Sequence, residues 1–187
     1  MKKLLLATGN KGKLEEAQEI LKIPLEIVDI ELEEIQSMDL EYVARKKAIE
    51  AYKKLKRPLV VDDVSVEIEV WNGFPGPLVK FLFLHLGNKK VIELLKSEKN
   101  RNVIVKSAVA YHDGKKIHTF IGEVKGTIAE RERGTEGWGF DPIIIPNGYS
   151  KTYAEMGLKG KSVLSHRRRA FDKLKKFLDS QANKNAI

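Results

Sequence analysis

KLLLATGNKGKLEEAQEIL, Lys3 to Leu21, changes its hydrophobic period partway along. Lys3 to Ala7 carries a short unbroken apolar run, the pattern of a strand buried on both faces. Thr8-Gly9-Asn10 reads as a turn. From Lys11 onward, Leu14, Ala17, Ile20 and Leu21 recur at helical spacing, and Pro24 stops the helix. A buried strand passing through a glycine turn into an amphipathic helix is the opening unit of an α/β fold.

The rest of the chain extends that beginning. Leu25 to Leu32 reads as a second strand. Asp39 is placed to cap a helix reaching about Leu55, with Leu40, Val43, Ala44, Ala48, Tyr52 and Leu55 inward. Leu59 to Trp71 reads as a strand interrupted by polar residues, and it closes on the breaker cluster NGFPGP. Pro77 suits the first turn of a helix to about Leu86, and Val91 to Leu95 belong to another short helix. Val103 to Tyr111 and Lys115 to Ala129 flank His112-Asp113-Gly114 as a hairpin, and Ile143 to Ile145 is a brief buried strand. The last helix runs from about Ser165 to Leu178 and buries Ala170, Phe171, Leu174, Phe177 and Leu178; the polar residues after Ser180 are expected to fray. Strands and helices alternate and then a hairpin arrives, which predicts a mixed sheet in a single α/β domain over residues 1–187.

A chain of 187 residues, 42% hydrophobic, buries roughly 70% of its unfolded surface and needs no staples. It has no cysteine, which excludes disulfides, zinc–thiolate sites, iron–sulfur clusters and thiol nucleophiles. No apolar run approaches the ~20 residues of a membrane span. The apolar stretch near Met1 ends after about five residues, below the ~7–15 of a signal peptide, so a cytoplasmic location is expected. The net charge of +8 asks either for an anionic partner or only for lysine-rich solubility.

Three segments carry candidate chemistry. ATGNKGK places a glycine turn at a helix N-terminus, where free N–H groups and the helix dipole suit a phosphate; Lys11 and Lys13 add charge. Only two residues separate Gly9 from Gly12, so neither the Walker A loop nor the dinucleotide fingerprint fits, and a plain turn with solvated lysines is the alternative. In LVVDDVSVEI, Asp62 and Asp63 occupy a strand, where aspartate is depleted. Successive strand side chains face opposite ways, so one carboxylate can enter a cleft while the other points elsewhere. A carboxylate beside phosphates suits Mg²⁺, with a second ligand among Glu31, Glu33 and Glu34; a solvated strand end is the alternative. TEGWGFDPIIIP puts Trp138 and Phe140 among glycines that let a flat ligand approach. Either ring can stack on a purine or lid the core.

KGKSVLSHRRRAFDKLKK, Lys159 to Lys176, carries eight Lys or Arg and one acid, Asp172. If Ser165 caps the final helix, His166, Arg167, Arg168 and Arg169 fill its first turn and oppose the dipole by roughly 0.3–1 kcal/mol each. A compact bound anion reverses that sign, whereas a DNA-reading helix spreads its charges along a whole face. His85, His112, His118 and His166 show no metal-ligand spacing, and no nucleophile elbow is present.

Taken together, TGNKGKLEEA, VVDDVSVE followed by NGFPGP, GWGFDP, and TYAEMGLKGKSVLSHRRRA resemble the inosine triphosphate pyrophosphatase (Ham1) family, in family order from Leu5 to about Leu174. The resemblance implies an elongated mixed sheet flanked by helices, with two lobes around a central cleft, usually as a homodimer. It also implies Mg²⁺-dependent hydrolysis of ITP, dITP and XTP to the monophosphate and pyrophosphate, clearing deaminated purines from the nucleotide pool. By motif position, Thr8, Gly9, Asn10 and Lys13, with Lys11 and Gly12 between them, resemble the phosphate-holding turn. Glu34 and Asp63 match the metal carboxylates, and Asp63 matches the residue that activates water. Lys46 and Lys80 correspond to phosphate contacts. Trp138, Gly139, Phe140 and Asp141, with Lys161, His166 and Arg167, match the base-recognising residues. Val64-Ser65 stands where many members have Ser-Gly, which leaves a backbone N–H at Val64 without the hydroxyl; Lys161-Ser162 replaces the common Lys-Asn.

The resemblance and the residues agree on a nucleotide. A nucleic-acid-binding module is the rival reading of the +8 charge, and it leaves Asp62-Asp63 unexplained, because carboxylates repel a phosphate backbone. No specific nucleic-acid binding and no membrane partner are expected. A related nucleotide pyrophosphatase of the Maf type is opposed by GWGFDP and SHR.

Overall fold

The computed structural model describes residues 3–184. Its elements are β1 (Leu4–Ala7), α1 (Lys11–Leu21), β2 (Leu25–Val28), α2 (Leu40–Leu55), β3 (Leu59–Ile68), β4 (Pro75–Gly76), α3 (Val79–His85), α4 (Gly87–Leu94), β5 (Asn102–His112), β6 (Ile117–Ile128), β7 (Ile144–Pro146), α5 (Tyr153–Leu164) and α6 (His166–Lys184). A single seven-stranded sheet runs in the order β2-β1-β3-β5-β6-β7, with β4 paired beside β3. β1 pairs in parallel with β2 and with β3, and every pairing from β3 onward is antiparallel. The sheet is therefore mixed.

Helices cover both faces at the β1 end of the sheet. Leu6, Val60 and Val109 pack against Ala17, Leu21, Phe171 and Leu174 of α1 and α6. On the other face, Leu5, Ala7, Val61 and Ala108 meet Ala44, Ala48 and Ala51 of α2. The three alanines let α2 approach the strands closely, so a larger side chain at fully buried Ala48 would cost about 1–3 kcal/mol by overpacking. A further cluster joins Val66, Ile68, Val103 and Val105 to Val91, Leu95, Phe140 and Ile143. It anchors the loop that carries Trp138. The β5–β6 hairpin turns where Asp113 Oδ1 accepts the N–H groups of Lys115 and Lys116, both at 2.7 Å, with Gly114 at φ 105°.

Several element boundaries differ from expectation. The strand expected over Leu25–Leu32 ends at Val28, because its one neighbour β1 ends at the glycine turn and Ala7↔Val28 is the last paired position. Asp29 to Met38 thereby become a segment beside the turn. β3 ends at Ile68 and passes into a 3-10 turn over Glu69–Trp71. α5 was not foreseen. Its start is legible in Thr152-Tyr-Ala-Glu155, a capping box in which Thr152 Oγ1 accepts the Glu155 N–H at 3.2 Å and Glu155 returns to the Thr152 N–H at 2.8 Å. Gly157, at φ 66°, breaks its regularity and hid the helical period. α6 reaches Lys184 instead of fraying after Ser180, since Gln181 and Ala182 favour helix; residues 185–187 lie outside the described residues. Among the described residues no helix is long and apolar enough to cross a membrane.

Candidate active site

A cleft of about 970 Å³ opens beside the C-terminal ends of β1 and β2. Its walls are the turn Thr8–Asn10 with Lys13, the Asp29–Ser37 segment, Lys47 of α2, Asp63 and Val64 of β3, the approach to α3 including Lys80, and Trp138, Gly139 and Phe140. Asn10 caps α1, its Oδ1 accepting the Lys13 N–H at 3.0 Å, and Thr8 Oγ1 accepts the Asn10 N–H at 3.1 Å. The turn is thus held at a helix N-terminus, whose remaining N–H groups and dipole favour an anion. The Asp29 carboxylate stands against Gly9, in the space a Cβ would enter, so a side chain there would displace it.

Strand alternation separates the paired aspartates. Asp63 faces the cleft, with Oδ1 accepting the Val64 N–H at 3.1 Å and Oδ2 3.4 Å from Lys47 Nζ. The same ammonium is 2.5 Å from Glu34 Oε1. Burial pushes the Glu34 carboxyl up, but Lys47 overrides it and holds the group below its ordinary value. Burial pulls Lys47 down in turn, and Asp63 and Glu34 more than compensate, so its pKa is raised. Lys13 donates to the Asp62 main-chain carbonyl at 2.7 Å. Burial lowers its pKa, only partly offset by Asp62 and Asp63.

Glu34 and Asp63 already converge on one cation, the Lys47 ammonium. No group of three or more His, Asp or Glu that could hold a metal occurs among the described residues. Two carboxylates facing an open cleft fit Mg²⁺, which takes one or two protein carboxylates and completes its shell with water and substrate oxygens.

Asp62 turns to the opposite face and enters a buried ionic cluster drawn from α1, β3, β5, α5, α6 and the loop that carries Asp141. Its Oδ2 accepts from Arg167 Nε at 2.8 Å and its Oδ1 from the Ser107 hydroxyl at 2.6 Å. Arg167 Nη1 reaches Glu16 Oε2 at 2.5 Å, and the Ser165 hydroxyl donates to Glu16 Oε1 at 2.6 Å. Lys161 Nζ lies 3.1 Å from Glu16 and 2.9 Å from Asp141. Burial would raise the Glu16 and Asp62 carboxyls, yet Arg167, helped by Lys161 and Lys13 respectively, holds both well below their usual range. At Asp141 burial prevails over Lys161 and the pKa is raised. Burial, reinforced by Arg167, lowers His166 to about 3, so its imidazole is neutral.

The Trp138 ring links cleft and cluster. Lys161 Nζ lies 5.1 Å and the Arg167 guanidinium carbon 5.4 Å from its centroid, and its indole occupies the space a Gly12 side chain would need. Arg167 Nη2, both His166 ring nitrogens, Tyr153 Oη and Ser162 Oγ are buried without a hydrogen-bond partner in the protein. Buried polar atoms without partners are uncommon. Here Arg167 Nη2 lies behind Trp138, one of the aromatic side chains that line the cleft.

The expected site residues divide accordingly. Thr8, Gly9, Asn10, Lys13, Glu34, Asp63, Val64, Lys80, Trp138, Gly139 and Phe140 line the cleft. Lys161, His166 and Arg167 are buried behind it, and Gly12 supports Trp138. Asp141 is buried too, accepting the Trp138 N–H at 3.0 Å and holding the loop in place. Lys11 is exposed outside the lining. Lys46 is not brought to the cleft: it rests 5.5 Å over the Tyr42 ring. Consecutive helical side chains point about 100° apart, and Lys47 is the α2 lysine that lines the cleft, one turn from Val43. The basic first turn of α6 is balanced mostly from within, with Arg167 on Glu16 and Asp62, Arg168 on Asp172 at 2.8 Å and Arg169 on the Glu123 carbonyl at 2.9 Å. The compact anion expected there is in large part the protein's own pair of carboxylates. Glu16 and Ser107 went unread; Glu16 could have been found as an acid four residues before Ile20, inside the apolar stripe of α1.

The profile described as the Ham1 family matches residues 4–177. A protein of Saccharolobus solfataricus named dITP/XTP pyrophosphatase is 44% identical over 185 residues, covering 97% of this chain and 96% of its own. One of the same name from Methanopyrus kandleri is 43% identical over 175 residues, covering 91% and 93%. Among solved structures, a HAM1 protein from Coxiella burnetii superposes with a TM-score of 0.80 at 28% identity, covering 96% of this chain and all of that one. The Staphylococcus aureus Ham1 protein also gives 0.80, at 25% identity with the same coverage. With the profile running through both the glycine turn and the buried cluster, the chain belongs to the Ham1 family.

Proposed function

We propose that the protein is a nucleoside-triphosphate pyrophosphatase that hydrolyses ITP, dITP and XTP to the monophosphate and pyrophosphate. The observation that carries this reading is one cleft with two unlike ends. Lys13, Lys47, Glu34 and Asp63 offer charge for a triphosphate, and Trp138 fronts the buried Lys161, His166 and Arg167. Relatives that match over nearly the whole chain are named for dITP and XTP.

Attack of water on the α-phosphorus forms a new P–O bond and breaks the bond to the bridging oxygen, and pyrophosphate departs with that electron pair. Asp63 sits where it can orient the water and accept its proton. Lys13 and Lys47 stabilise the charge that grows on the departing phosphates. Glu34 and Asp63 would hold Mg²⁺, which when bound neutralises phosphate charge and organises the in-line geometry. At the other end, the stacking ring and guanidinium favour a purine with an oxygen at C6. Adenine, with an amino group there, leaves the donor unpaired, a mismatch that can reach ~10⁴-fold. Homodimer assembly, a cytoplasmic location and the lack of sequence-selective nucleic-acid binding belong to the same proposal.

The test is to assay the purified protein with Mg²⁺ and each of ITP, dITP, XTP, GTP and ATP, distinguishing pyrophosphate from orthophosphate. Pyrophosphate is expected from the first three, little from GTP and least from ATP. Orthophosphate as the first product, or ATP turned over as well as ITP, would overturn the reading.

A further inference from the structure

Asp62 bonds on the base side and the phosphate side at once. Its carboxylate takes Arg167 Nε at 2.8 Å, while its main-chain carbonyl takes Lys13 Nζ at 2.7 Å, with that ammonium 3.7 Å from the same carboxylate oxygen. The Ser107 hydroxyl fixes the remaining oxygen from the neighbouring strand at 2.6 Å. The Asp62 side chain is 2% exposed and, like Arg167, does not line the cleft; Arg167 stands behind Trp138, its guanidinium carbon 5.4 Å from the ring centroid. Arg167 is wholly buried and its Nη2 alone lacks a partner. Lys13 lines the cleft beside the glycine turn.

Resting on the functional reading above, we propose that Asp62 is a positioning residue that joins base recognition to phosphate contact. A single carboxylate, locked by Ser107 on a central strand, sets the distance between the guanidinium that backs the Trp138 ring and the ammonium that meets the phosphates. A nucleotide whose base seats on the Trp138 ring, with Arg167 behind it, then brings its phosphates to a correctly placed Lys13. One whose base does not seat gains nothing from that alignment. Base identity is therefore expressed in kcat as well as in KM.

The test measures kcat and KM for ITP and ATP on the wild type, Asp62→Asn, Lys13→Ala and the double variant. Asn keeps the shape and the Ser107 bond while removing the charge. Asp62→Asn should cut the ITP-to-ATP preference by about tenfold, chiefly through kcat on ITP, with ATP turnover falling less than about threefold. In the Lys13→Ala background the same substitution should change the ITP rate less than about threefold, because the contact it positions is already gone. Equal losses on both nucleotides, which a merely destabilised protein would show, would overturn the proposal, as would single losses that multiply in the double variant. Should Asp62→Asn not fold, Ser107→Ala decides: a shift of roughly two- to threefold in the same preference supports the role and an unchanged ratio removes it. A wild type with no preference for ITP would overturn the functional reading itself; a wild type that prefers ITP beside an Asp62→Asn variant with the full ratio would overturn only the role of Asp62.

Discussion

Arg167→Ala strands two carboxylates in the protein interior. The guanidinium is wholly buried, 2.8 Å from Asp62 and 2.5 Å from Glu16. Removing one partner of a buried ion pair costs about 3–5 kcal/mol, because the other charge is left uncompensated. Part of that is cushioned: Lys161 remains 3.1 Å from Glu16, Lys13 lies 3.7 Å from Asp62, and Ser165 and Ser107 still donate to the two acids. The low end, about 3 kcal/mol, is therefore expected. For a chain of this length each kcal/mol moves Tm by ~2–4 °C, so melting should fall by roughly 6–12 °C. The sign with pH follows from the depressed carboxyls. In the wild type, the stability that Glu16 and Asp62 contribute is present above their unfolded values of 4.5 and 3.8 and is lost as pH falls through their lower folded values. Without Arg167 burial would raise both, so the gap between variant and wild type should narrow from pH 7 towards pH 4. Thermal melts at several pH values read this directly, and kcat/KM on the folded variant should show the ITP-to-ATP gap shrinking by at least about tenfold. A Tm within about 2 °C of wild type would refute the buried network, and an unchanged nucleotide ratio would remove Arg167 from base recognition.

Asp63→Asn, which alters a partly exposed group on the cleft wall, should lower kcat more than about 10²-fold with Tm shifted less than about 3 °C; near-normal turnover would exclude Asp63 from water activation and metal holding. His166 is held to about 3 in the folded chain against 6.5 for the free side chain. The unfolded state then binds more protons between those values, and stability falls with falling pH, by about 2 kcal/mol from pH 7.5 to 5.0. Denaturant titrations of His166→Gln should lose most of that slope, and a wild type whose stability is flat over this window would contradict it. Gly12→Ala sets a methyl into the Trp138 indole, so KM for ITP should rise several-fold while pyrophosphate remains the product; an unchanged KM would mean that the ring is not held against α1.

The strand-turn-helix opening, the Asp39 cap and the hairpin were legible because each rests on local chemistry: a period, a capping side chain, a turn residue. The same holds for the cleft-lining motifs, where glycines, aspartates and aromatics stand out of place in their surroundings. Apart from α5, whose capping box is local and whose period Gly157 interrupts, what escaped was set by non-local contacts. Asp62 could be read as facing away from Asp63, but nothing near it in the chain says that Arg167, 105 positions later, supplies its countercharge. Lys46 and Lys47 differ only in which way α2 turns, and the choice belongs to the packing of Ala44 and Ala48 on the sheet. The basic start of α6 was read as a site for an outside anion. Its partners lie on α1 and β3, elements brought together only by the folded core.

The central claim is that water attacks the α-phosphorus of a deaminated purine triphosphate, and hydrolysis of ITP in ¹⁸O-enriched water tests it most directly. Mass spectrometry of the products should find the label in the monophosphate and none in pyrophosphate. Label in pyrophosphate or orthophosphate would place the attack on another phosphorus and contradict the assignment of Asp63, Lys13 and Lys47.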